Sequence, residues 1–170
     1  GPWMRPTVED ANVRMIHPER DERYPDFDAS GVLALDDRGL RVDAFTLTSS
    51  VGEVRAEGRI GLFADAGATL ASNPTLDLSL EVEALRVGRL APSLGVTATV
   101  DAVASIDGTV AAPRVAGSSF VASDIIAFRE PIDRVAVQQF SLTDHRIVLG
   151  GITVDKGDAT LEGAVELDVR

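Results

Sequence analysis

The stretch Val96-Thr97-Ala98-Thr99-Val100-Asp101-Ala102-Val103-Ala104-Ser105-Ile106-Asp107-Gly108-Thr109-Val110 alternates apolar and polar side chains along its length. Val96, Ala98, Val100, Ala102, Ala104, Ile106 and Val110 form one set; Thr97, Thr99, Asp101, Ser105, Asp107 and Thr109 form the other, with Val103 the exception. Side chains on a strand change face at every residue, so this is a strand with one dry and one wet side. The pattern returns at Leu161, Gly163, Val165, Leu167 and Val169, set against Thr160, Glu162, Glu166 and Asp168. No segment has the length and periodicity of a helix that could cover the dry faces. Strands of this kind either close on themselves or leave a groove that something apolar fills.

Working outward, turn residues divide the chain into strands expected at 31–36, 39–48, 51–63, 75–85, 95–110, 114–128, 132–143, 145–155 and 158–169. The breaks are Asp36-Asp37-Arg38-Gly39, Ser49-Ser50, Ser72-Asn73-Pro74, Ala112-Pro113, Glu130-Pro131 and Lys156-Gly157-Asp158. Connections this short favour antiparallel neighbours. Leu85, Leu90 and Leu94, around Val87 and Pro92, fit one short helical turn placed to plug an end of the sheet. The expected fold class is all-β: a curved antiparallel sheet of about nine or ten strands. Two motif pairs suggest an internal repeat. Phe45-Thr46-Leu47-Thr48 matches Phe140-Ser141-Leu142-Thr143, and Ala56–Leu62 matches Leu161–Leu167 with a gap longer by about one strand.

Three regions follow. Residues 1–4 hold Gly1-Pro2, which reads as the scar of a cleaved purification tag. Residues 5–30 form a charged segment with Pro6, Pro18 and Pro25 around His17-Pro18-Glu19-Arg20-Asp21-Glu22-Arg23, in which Val13–Ile16 reads as an edge strand. Residues 31–170 form a single β segment, expected to belong to a longer chain.

The chain has 170 residues, 45% of them hydrophobic but only 5% aromatic, so small aliphatic side chains would carry any core. They fill a thick sandwich less well than aromatics do. Sixteen basic against 27 acidic side chains give a formal charge of −11. That disfavours binding to a nucleic-acid backbone or an anionic leaflet. There is no cysteine, so thiolate chemistry is excluded. No stretch reaches the ~18 apolar residues of a membrane helix.

Catalytic chemistry is not legible. His17 and His145 lack partners at metal-ligand spacing, and the sequence of Thr143-Asp144-His145-Arg146 reads as a hairpin turn. Asp36-Asp37 and Asp155-Lys156-Gly157-Asp158 are too sparse in oxygen ligands for calcium and read as turns. Gly150-Gly151 reads as a bulge, not a phosphate cradle. The expectation is a protein that is not an enzyme and needs no cofactor.

Ile106-Asp107-Gly108-Thr109-Val110-Ala111-Ala112-Pro113-Arg114-Val115-Ala116-Gly117, continued through Pro131-Ile132-Asp133, Phe140-Ser141-Leu142 and Leu161-Glu162-Gly163, resembles the repeating β region of the TamB and AsmA-like envelope proteins. Leu76-Asp77-Leu78-Ser79-Leu80 leading to Leu85 and Leu90-Ala91-Pro92 resembles their strand-then-short-helix insertions. The resemblance covers residues 30–170. It implies a taco-shaped β-groove in the periplasm of a didermic bacterium, in a parent anchored to a membrane outside this segment. It implies a bridge that carries phospholipid acyl chains between the inner and outer membranes, with an outer-membrane barrel protein as a further partner. The groove lining would then be Val96, Ala98, Val100, Ala102, Ala104, Ile106, Leu161, Val165, Leu167 and Val169. The small side chains, with Gly163, would leave room and the larger ones would touch the chain.

Two other readings stay open on the residues alone. In one, the same side chains fill a closed sandwich core. In the other, the chain is a β-rich, chaperone-like module that pairs an edge strand with unfolded outer-membrane protein strands.

Overall fold

A computed structural model of the chain describes residues 7–15, 27–65, 69–90, 95–127, 129–143 and 145–168. Ten strands form one sheet in strict sequence order: β1 (Thr7–Met15), β2 (Phe27–Asp36), β3 (Gly39–Ser49), β4 (Gly52–Asp65), β5 (Thr69–Arg86), β6 (Val96–Thr109), β7 (Pro113–Ala127), β8 (Glu130–Thr143), β9 (Arg146–Lys156) and β10 (Ala159–Asp168). All neighbours are antiparallel. One four-residue helix, α1 (Val87–Leu90), joins β5 to β6. The architecture is the expected all-β curved sheet, and it is open: β1 and β10 are its two edges.

Openness decides between the core arrangements. The chain exposes 11855 Å², whereas a compact protein of 18.0 kDa exposes about 8,000 Å². Substantial contacts between elements run only along the meander and from α1 to β6. A closed sandwich is therefore not what these strands build.

The sheet reaches back to Thr7, beyond the expected start at residue 31. The edge strand expected at Val13–Ile16 lies within and just past β1, with Val13 opposite Ala29. Ile16, the charged cluster from His17 to Arg23, and Pro6, Pro18 and Pro25 lie outside the described residues. The break expected at Ser72-Asn73-Pro74 falls inside β5: the strand continues, but its pairing with β4 slips there, from Gly61 opposite Thr75 to Phe63 opposite Leu70. Proline supplies no N–H, but the Pro74 carbonyl still accepts from the Val110 N–H at 2.9 Å. The Asn73 side chain also donates to Thr109 Oγ1 (2.9 Å) and accepts from the Ala111 N–H (3.1 Å). Side-chain bonds thus hold the strand where the ladder loses a donor.

Alternation is interrupted by bulges, each with two outward residues between two apolar ones. In β3, Asp43 and Ala44 separate Val42 from Phe45. In β5, Glu83 and Ala84 separate Val82 from Leu85; Ala84 has φ 50° and its N–H donates to Asp101 Oδ1 at 2.9 Å. The longest interruption spans three strands, with Ser118-Ser119 of β7, Gln138-Gln139 of β8 and Gly150-Gly151 of β9 side by side. Their flanking strands β6 and β10 have no extra residue there. Gly151 adopts φ 63°, which suits glycine, so the bulge expected at Gly150-Gly151 is present. Bulges bend the strands that carry them, and here the extra residues all lie on the polar side.

The turns are held by side chains. At the β2–β3 hairpin Asp36 accepts from the backbone N–H groups of Arg38 (2.9 Å) and Gly39 (3.1 Å) and from the Arg59 guanidinium (2.8 Å). The Arg59 bond, then the Arg38 amide, lower its pKa from 3.8 to about 2. A pKa lower in the fold than in the open chain stabilises above about pH 4, and that gain is lost as pH falls toward 2. Asp36→Asn is therefore expected to cost about 0.5–1 kcal/mol at pH 7 and almost nothing near pH 2, as read from urea midpoints at the two pH values.

Candidate functional site

Because directly opposed residues share a face, the registers extend the dry side of β6 across the sheet. From Ile106 the row runs through Leu78, Gly58, Val42 and Leu33 in one direction. In the other it runs through Val115, Leu142, Ile147 and Leu167. From Ala104 the next row takes in Leu80, Ala56, Phe45 and Gly31, then Gly117, Phe140, Leu149 and Val165. The row through Ala102 joins Val82, Val54, Leu47 and Ala29 to Phe120, Val137, Ile152 and Gly163. The row through Val100 links Leu85 to Ala122, Val135, Val154 and Leu161. None of these positions carries a polar or charged side chain. At about 4.8 Å per strand, a face from β2 to β10 measures about 38 Å across the strands.

The bulges keep the face unbroken. Without its extra residue each bulged strand would turn every later side chain to the wrong side. Val100, Ala122 and Val137 are only 6–7% exposed, although no second layer lies above them among the described residues. Neighbours on adjacent strands shield them, and at Val100 and Ala122 so does α1. Ile125, also buried, joins Val100 and Ala122, and Leu85, Val96, Ala98, Phe120 and Val87 of α1 pack around them. Short helix α1 thus caps one end of the apolar face, as expected, although Leu85 belongs to β5; Leu94 lies outside the described residues.

The repeat has a structural counterpart. Phe45 and Phe140 each follow a bulge, and each stands opposite a glycine of the preceding strand, Gly31 and Gly117. A Cβ on Gly117 would come within 1.9 Å of the Phe140 ring, so that ring lies directly over the glycine. Phe140 also meets Phe120 edge to face, centroids 6.4 Å apart. Ala56–Leu62 lies on β4 and Leu161–Leu167 on β10, so the longer gap is strand β9.

Nine of the ten residues expected to line a groove share this face. Val96, Ala98, Val100, Ala102, Ala104 and Ile106 sit on β6, half-buried or buried. Leu161, Val165 and Leu167 lie on the same rows at the edge strand and are exposed, Leu161 at 70%. Val169 lies outside the described residues. Val110, read as part of the same face, lies past the end of β6 and is exposed, while Val103 faces the polar side as expected. Most of the face was missed on β3, β5, β7, β8 and β9, where bulges conceal it. The available signal was a pair of polar or small residues between apolar ones, as in Val137-Gln138-Gln139-Phe140.

The opposite face is charged and paired. Arg55 reaches Glu53 (2.7 Å), Glu83 (2.9 Å) and Glu81 (3.4 Å), and Arg59 reaches Asp36. A shallow depression of about 580 Å³ lies over the three stacked bulges, lined by Ser79, Ser105, Ser118, Gln139 and Ser141 with Val103 and Val148. It carries no charged side chain. No known protein family, curated protein or solved structure matches the chain.

Gly117 offers a direct test of the face. Gly117→Val is expected to displace the Phe140 ring and cost about 1–3 kcal/mol. In a Phe140→Ala background the same change should cost less than half as much, read as a double-mutant cycle from urea melts.

Proposed function

We propose that the apolar face is a groove for phospholipid acyl chains, and that the chain is a segment of a bridge moving lipid between two membranes. One observation carries the reading: a charge-free face spans nine strands, and among the described residues no second layer covers it. Each methylene withdrawn from water gains about 0.8 kcal/mol, so a chain of ~16 carbons gains roughly ten kcal/mol on a continuous apolar surface. Such a surface needs no polar recognition of the chain. It also exceeds the length of one acyl chain, about 15 Å if a bilayer core of about 30 Å holds two. A lipid could therefore move from row to row without re-entering water. The resemblance of residues 30–170 to TamB and AsmA-like proteins supports the same reading and suggests the periplasm as its location.

A second reading has one observation in its favour. Strand β10 is exposed along its described length and lies at an open edge of the sheet, a surface on which an extended segment of an unfolded outer-membrane protein can pair.

Native mass spectrometry of the purified chain, followed by lipid extraction, tests the groove. Bound phospholipid that a fluorescent acyl analogue displaces is expected; a bare protein that stays bare after incubation with lipid overturns the reading. Leu167→Asp, at a half-exposed site on the face, should leave the fold intact and lower lipid occupancy severalfold. Val100→Asp, at a buried site, should cost about 3 kcal/mol or more and unfold the chain. Blocking β10 with Val165→Pro abolishes peptide capture if edge pairing is the function, and leaves acyl-chain capture by the other strands in place.

A further inference from the structure

Strand β10 repeats the side-chain pattern of a strand that has neighbours on both sides. Ala56–Leu62 of β4 matches Leu161–Leu167 of β10, so Ala56 corresponds to Leu161, Gly58 to Gly163 and Ile60 to Val165. The two strands lie an even number of antiparallel steps apart and therefore run the same way. Their matched residues stand on the same apolar face. The free edge of β10 is thus the edge that β4 gives to β5. Building on the edge-pairing reading of β10, we propose that this edge binds an extended strand of another protein, antiparallel to β10, with aliphatic residues at alternate positions and Lys or Arg between them.

The β4–β5 pair shows what such a partner supplies. Leu80, Leu78 and Leu76 stand opposite Ala56, Gly58 and Ile60. Strand β5 comes so close that a Cβ on Gly58 would lie 2.9 Å from Leu78 Cα. Around the corresponding position on Gly163 no atom lies within 4 Å. Leu161, Val165 and Leu167 end the apolar rows and are 39–70% exposed. Aliphatic residues opposite Leu161, Gly163 and Val165 continue those rows by one strand. The backbone of the same segment takes up the unpaired N–H and C=O groups of the edge.

Charge selects the strand. On the polar side of β4, Arg55 and Arg59 face Glu81 and Asp77 of β5, and Arg55 meets Glu81 at 3.4 Å. Strand β10 reverses the sign: its polar side carries Glu162, Glu166 and Asp168, and no base. In the β4–β5 register, the residues facing Glu162 and Glu166 take the places of Ser79 and Thr75. Opposite charges directly across a sheet attract, and like charges repel. Pairing of β10 with the β10 of a second copy would therefore crowd acids against acids. Other devices that close an edge are missing from β10: it holds no proline and no lysine, it runs for 10 residues, and the extra residue at its bulge belongs to β9. The edge repels its own copy and accepts a cationic strand.

The test uses the whole chain and three capped, fluorescent peptides. Lys-Leu-Thr-Leu-Lys-Leu-Thr sets its leucines opposite Val165, Gly163 and Leu161 and its lysines opposite Glu166 and Glu162. A second peptide carries Glu for both Lys, and a third has the first composition without alternation, Lys-Lys-Leu-Leu-Leu-Thr-Thr. Anisotropy gives affinity and hydrogen exchange gives location. The alternating lysine peptide is expected to bind at least about threefold more tightly than either control and to protect the amides of β10. Glu162→Lys, at an exposed site, should leave the fold intact and make Lys-Leu-Thr-Leu-Glu-Leu-Thr the better ligand. Equal binding of the lysine and glutamate peptides, with β10 protected, overturns the choice of a basic strand and leaves edge pairing. Equal binding of the third peptide, protection away from β10, or displacement of a bound acyl probe overturns β10 as the docking strand. Failure of every peptide to bind overturns edge pairing itself and leaves the groove. Protection of β10 that grows with protein concentration alone makes a second copy the occupant and overturns the proposal.

Discussion

Apart from the corner that α1 caps, the apolar side chains of this sheet find their neighbours sideways. In a two-layer fold, side chains interdigitate with a facing layer, and burial grows with the depth of that core. Here the contacts run from strand to adjacent strand, so burial depends on cross-strand pairs and on curvature. Phe140 lying over Gly117 and edge-on to Phe120 shows how such a surface is packed. The ring fills the space its glycine partner leaves, and its neighbours lie beside it on the same face. The result is a well-shielded strip around Val100, Ala122, Ile125 and Val137, with exposure rising toward β10.

That constraint gives the bulges their meaning. A sheet of ten strands with one dry face has to hold register over its whole width, since a slip of one residue exchanges the faces. The extra residues in β7, β8 and β9 are matched strand to strand, so the row stays continuous and the change is absorbed at β6 and β10. The polar side is held by pairs such as Arg59 with Asp36 and Arg55 with three glutamates. The Arg55 pairs are mostly exposed and individually weak, and the Arg59–Asp36 pair is half-buried. Their main effect is to keep charge on one side of the sheet.

Strands β6 and β10 were legible in the sequence because they are the ones flanking the stacked bulges without sharing them. Their alternation survives over the full length, and the groove residues expected from it share one face wherever they are described. The others were obscured. Val42 and Phe45, or Phe120 and Gly117, are three residues apart yet point the same way, which a strict period of two assigns to opposite sides. The continuation of β5 past Pro74 was also hidden, because the Asn73 side chain and the Pro74 carbonyl are held by Thr109, Val110 and Ala111, distant in sequence.

The most direct test of the account compares two adjacent residues whose side chains leave β6 in opposite directions. A photo-reactive phenylalanine analogue at Ile106, and separately at Ser105, is irradiated with the protein carrying a radiolabelled phospholipid. The account predicts lipid adducts at Ile106 and almost none at Ser105. Equal labelling at the two positions, or labelling confined to Ser105, would contradict an acyl chain lying on the apolar face.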